Sequence, residues 1–115
     1  MTPDTIVVLI TVPSTEAGEG IARPLVAEHL AACVNVVPGL TSVFWWEGAV
    51  HTEAEALLIV KTRRPLFEAL AARVRSLHPY TVPEIIAIPL AAGSQAYLDW
   101  VRDAVSQPGE PPRPA

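Results

Sequence analysis

Val34-Asn35-Val36-Val37-Pro38-Gly39-Leu40-Thr41-Ser42-Val43-Phe44-Trp45-Trp46-Glu47-Gly48-Ala49-Val50-His51-Thr52-Glu53-Ala54-Glu55-Ala56-Leu57-Leu58-Ile59-Val60-Lys61-Thr62 decides the fold. It reads as two extended runs, Val34 to Trp46 and Ala49 to Thr62, reversed at the turn dipeptide Glu47-Gly48. At about 3.3 Å per residue, the first run reaches roughly 43 Å. A compact domain of this length is only about 35 Å across. The hairpin must therefore bend or overhang, and Pro38-Gly39 is the natural place for a bulge. The overhanging end carries Phe44, Trp45 and Trp46, an apolar tip with open strand edges, so a neighbouring subunit is its expected cover. Strand alternation sends Trp45 and Trp46 to opposite faces, one toward the subunit core and the other toward a neighbour.

Outward from the hairpin, Thr5 to Val12 is a nearly continuous β-branched run that suits a central strand covered on both faces. After Pro13, Ser14 or Thr15 caps a helix in which Ile21, Leu25, Val26, Leu30 and Cys33 recur at helical spacing. Pro24 falls inside this pattern and costs about 3 kcal/mol in a regular helix interior, which predicts a kink or restart near Arg23. Beyond the hairpin, Pro65 opens a second helix with an apolar stripe of Leu66, Phe67, Leu70, Val74 and Leu77, ended by His78-Pro79-Tyr80. Glu84 to Leu90 is the fourth strand, and Ser94 starts a short helix with Tyr97, Leu98, Val101 and Val105 inward. The order βαββαβα predicts an α+β fold, the ferredoxin-like sandwich with an extra C-terminal helix. Residues 1–105 form one domain, and residues 106–115 form a proline-rich tail expected to be disordered.

Half of the 115 residues are hydrophobic and 17% are charged, apolar enough to point to self-association. A net charge of −4 gives no electrostatic footprint for nucleic acid or an anionic membrane. No apolar run approaches the roughly 20 residues that span a bilayer. The single cysteine excludes an intrachain disulfide, and no basic, apolar leader precedes the first strand, so a cytoplasmic protein is expected. Gly18 and Gly20 share part of a dinucleotide-binding fingerprint but lack its third glycine and the later acidic residue. Nucleophile-elbow, zinc-protease and P-loop signatures are absent, which favours a binding or structural module over an enzyme.

Several strings together resemble one family: Leu30-Ala31-Ala32-Cys33-Val34-Asn35, Ser42-Val43-Phe44-Trp45-Trp46-Glu47-Gly48, Leu58-Ile59-Val60-Lys61-Thr62 and His78-Pro79-Tyr80-Thr81-Val82-Pro83-Glu84. They resemble the CutA divalent-cation tolerance family over roughly residues 5–105. The resemblance implies a homotrimer in which long hairpins join neighbouring sheets, and a link to tolerance of divalent metals, copper above all. Cys33 is a candidate ligand for a soft metal, with core packing as its plain alternative. His78 is the better-placed metal ligand, or else a helix-end histidine bonding a carbonyl. Some family members hold copper with a cysteine late in strand one and a second histidine before His-Pro-Tyr, where this chain has Ile10 and Leu77. Glu53, Glu55, Lys61, Tyr80 and Glu84 match family positions and read as a polar cleft between subunits or as salt bridges, with Trp46 at the interface. The alternative functions are a PII-like trimeric sensor, binding a small anionic metabolite through Lys61, Tyr80 and Glu84, and a pure interaction scaffold.

Overall fold

The computed structural model describes residues 3–106. β1 (Thr5–Val12) is followed by α1 (Thr15–Ala27), the long pair β2 (Cys33–Trp46) and β3 (Ala49–Arg63), and a 3-10 turn at Arg64–Leu66. Then come α2 (Phe67–Leu77), β4 (Ile85–Pro89) and α3 (Gln95–Ala104). The sheet order is β2-β3-β1-β4 with every neighbouring pair antiparallel, the ferredoxin-like arrangement expected from the element order.

Alternation in β1 builds the core. Ile6, Val8, Ile10 and Val12 face the helices beside Leu58 and Val60 of β3, and meet Ile21 and Leu25 of α1 and Leu70 and Val74 of α2. These side chains are 0–2% exposed, each fully buried aliphatic group contributing about 1.5–3 kcal/mol. The opposite face corrects the expectation that β1 is covered on both sides. Val7, Leu9, Leu57 and Ile59 are only half-buried there, and Ile86 and Ile88 of β4 are 50% and 48% exposed.

Helix α1 runs through Pro24 without the predicted restart. The lost bond falls on the carbonyl of Gly20, which is exposed and open to water. The helix also stops earlier than its apolar spacing suggested. His29 takes a left-handed φ of 60°, its N–H bonds Val26 O, and the N–H of Leu30 bonds Leu25 O, a Schellman cap built on histidine instead of glycine. Cys33 therefore opens β2 and does not end a helix. At the other end of the chain, Tyr97 is exposed while Val101 and Val105 are buried, so the inward face of α3 excludes that tyrosine. Ser106, assigned to the tail by sequence, closes α3 through bonds to Asp103 O and Arg102 O. The rest of the expected disordered tail lies outside the described residues.

The hairpin overhangs as its length requires, and the molecule measures 50 × 27 × 22 Å. Val37 pairs with Leu57 and Leu40 with Glu55, so Pro38 and Gly39 bulge opposite the single residue Ala56. Gly39 has φ 79°, a conformation glycine supplies at little cost. The extra residue reverses the alternation of β2, moving even-numbered positions from the helix-covered face to the open one. At the tip, Glu47 and Gly48 both have positive φ and form a two-residue turn of the kind that matches strand twist.

Candidate functional site

Past the bulge, Ser42, Phe44 and Trp46 of β2 share the open face with His51, Glu53 and Glu55 of β3. Together with the loop that follows α2 they enclose a concavity of about 1000 Å³, to which Thr11, Tyr80 and Glu84 also contribute. His51 was read from sequence as a surface residue. It is half-buried instead, its Nε2 donating to Trp46 O at 3.0 Å and its ring stacked on Phe44 with centroids 5.7 Å apart. The turn register was the available signal: once Trp46 pairs with Ala49, Phe44 must face His51 and Ser42 must face Glu53.

His78 organises the loop wall of the concavity. Its ring is buried, with Nε2 donating to Thr11 O at 2.8 Å and Nδ1 accepting the Tyr80 N–H at 3.1 Å. A carbonyl on one nitrogen and an N–H on the other fix the neutral Nε2–H tautomer. The Tyr80 ring packs on the imidazole at 4.7 Å between centroids, and its hydroxyl donates to Glu55 at 2.6 Å. Burial, then the bond to Glu55 and the charge of Glu53, push the Tyr80 phenol well above its ordinary range, so it stays a donor at any physiological pH.

The other expected site residues lie elsewhere. Lys61 bonds the Asn35 side chain and pairs in register with Val7 and Cys33. It is six positions along β3 from Glu55, roughly 20 Å at strand rise. Lys61 and Tyr80 of one chain therefore do not share a cleft, contrary to the set read from sequence. Cys33 is half-buried beside Tyr97, whose phenol is raised mainly by burial and further by that thiol. Cys33 lies level with Val7, whereas His78 bonds at Thr11, about 13 Å away along β1. These two candidate ligands cannot converge on one ion within a chain. Trp46 lines the concavity at 43% exposure and Trp45 lies on the reverse of the arm at 71%; neither enters the core, contrary to the expectation for one of them.

Residues 6–104, almost all of the described fold, match the model of the CutA1 divalent ion tolerance protein. The chain belongs to the CutA1 divalent ion tolerance family. The divalent-cation tolerance protein CutA of Thermus thermophilus is 59% identical over 97 residues, which cover 84% of this chain and 94% of that protein. The chloroplastic protein CutA 1 of Oryza sativa is 50% identical over 106 residues, 92% of this chain and 60% of the rice protein's length. The solved structure of the Thermus thermophilus divalent cation tolerance protein superimposes with a TM-score of 0.85 at 57% identity, covering 87% of this chain and 97% of that one. Membership accounts for the strings around Cys33, Trp46, Lys61 and His78, and it makes the spread of those residues over one chain the central feature of the site.

Proposed function

We propose that this family member works as a non-enzymatic homotrimer in the response to divalent cations, with each hairpin arm completed by a neighbouring copy. The observation that carries this is the arm itself. Val43, Trp45 and Val50 are 66–71% exposed on one of its faces, Phe44 and Trp46 are 39% and 43% exposed on the other, and the open sheet face continues the apolar surface through Ile86 and Ile88. A single copy leaves this surface in water, which soluble monomers avoid. A contact of arm on sheet joins different patches, and a closed ring is how such a contact ends without forming a fibre.

Metal binding at His78 finds less support. Both ring nitrogens already hold partners, Ile10 and Leu77 supply hydrocarbon beside them, and no group of three or more His, Cys, Asp or Glu donors converges among the described residues. A copper or other divalent ion at His78 would have to displace the Thr11 carbonyl or the Tyr80 N–H. His78 is therefore assigned to loop positioning, and Cys33 to the base of the sheet. The sensor reading with an anionic metabolite loses its cation within the chain, because Lys61 stands apart from Tyr80 and Glu84. The rice relative is named chloroplastic, so the cytoplasmic assignment is carried by this sequence alone.

Light scattering tests the assembly: a mass near three times the 12.3 kDa chain is expected, and a single-chain mass would contradict it. Calorimetric titration with Cu(II) and Zn(II) tests the role of His78. Any binding seen should be unchanged in His78→Ala, and binding abolished by that substitution would return the histidine to the metal.

A further inference from the structure

The concavity under the arm has a composition that selects among ligands. Two aromatic rings, Phe44 and Trp46, form its arm side, and Tyr80 stands on the loop side. Glu53, Glu55 and Glu84 are its charged lining residues, and no Lys or Arg is among the described residues that line it. Glu55 is held by the Tyr80 hydroxyl, Tyr80 by His78, and His78 by the Thr11 carbonyl, so the acceptor is oriented before any ligand arrives. Glu53 and Glu55 project from the same face of β3, two residues and hence about 7 Å apart.

That spacing excludes a shared small cation, because the carboxylate oxygens around Ca²⁺ must come within about 2.3–2.6 Å of one centre. An anion would meet three carboxylates and no countercharge. Ammonium groups separated by a short hydrocarbon chain meet both constraints, since each head reaches one carboxylate while the methylenes lie on aromatic faces. We propose that the concavity binds a linear aliphatic diamine or polyamine, with Glu53 and Glu55 taking successive ammonium groups, Glu84 taking a further one, and Trp46 and Phe44 packing on the methylenes. The ligand rests on these walls of one chain; the assembly proposed above supplies only the cover.

The test is calorimetric titration of the full-length assembled protein with diaminobutane and spermidine, with tryptophan fluorescence as the second readout. Saturable binding at one site per chain is expected, with a fluorescence change and an affinity above that of aminobutane, which carries only one head. The Glu53→Gln/Glu55→Gln variant should bind at least about tenfold more weakly, as expected when charge-assisted bonds are lost. Equal binding by aminobutane, Mg²⁺ or inorganic phosphate, undiminished binding by the double variant, or no saturation overturns the proposal. If the double variant misfolds by circular dichroism, Glu84→Gln carries the test, with weakened spermidine binding expected and unchanged binding contrary. Light scattering on the same samples separates the two proposals: a trimer that ignores diamines sinks this one alone, and a single chain that binds them sinks only the assembly.

Discussion

The two halves of the β2–β3 ribbon are built from similar residues and end in opposite circumstances. Below the bulge, Leu58 and Val60 are 0% exposed under α1 and α2. Above it, Val43, Trp45 and Val50 stand in water at 66–71%. Propensity is the same in both halves, β-branched and aromatic throughout, so what differs is cover. A sheet half with its own helices is complete within one chain. A two-stranded arm is at best marginally stable alone, so its length and apolarity make sense only as one part of a larger assembly.

Substitutions in the two halves should separate accordingly. Leu58→Ala is expected to cost about 2–5 kcal/mol, because a fully buried side chain leaves a cavity. Trp45→Ser, at 71% exposure, should change the stability of a chain by no more than about 0.5 kcal/mol. Chemical denaturation of both would show it, and equal losses would mean the arm is part of the core. His78→Ala comes next, at about 1–3 kcal/mol, since it strips partners from the Thr11 carbonyl and the Tyr80 N–H. A neutral result would show that water replaces the ring. Gly39→Ala, at the boundary between the halves, should cost about 1–2 kcal/mol for a left-handed side chain, and an unchanged melting curve would mean that the bulge relaxes.

The smallest effect is electrostatic and belongs to the helix layer. Arg73 forks onto Glu28 with bonds of 2.9–3.1 Å, and that bond holds the Glu28 carboxyl below its ordinary 4.5. A lowered folded value means the contribution is present above pH 4.5 and is lost as pH falls through the folded value. The melting temperature should drop slightly more steeply on the acid side in the parent than in Arg73→Gln, and identical acid limbs would remove the pair from the stability of the fold. The pair is solvent-exposed, so the difference is small.

Much of this was legible in the sequence because it depends on length and on turn residues. The run lengths forced an overhang, Pro38-Gly39 marked the bulge, and Glu47-Gly48 fixed the tip. Where reading failed, the deciding contacts involve the backbone or distance along a strand. Leu30 and Cys33 keep helical spacing with α1, and no glycine announces its end, because His29 adopts the left-handed cap. The partners of His78 are a carbonyl and an N–H, which no side-chain pattern displays. Glu55 and Lys61 share a face by parity, but parity carries no distance, and six residues separate the acidic concavity from the lysine grouped with it.

Hydrogen–deuterium exchange across the ribbon tests the dependence of the arm on a neighbour most directly. In the assembled protein, the amides of residues 41–46 and 49–54 should exchange nearly as slowly as those of β1. In Trp46→Asp they should become fast while β1 keeps its protection. Fast exchange of the arm in the unmodified protein, with β1 protected, would contradict the account, since it would show an arm that no neighbour completes.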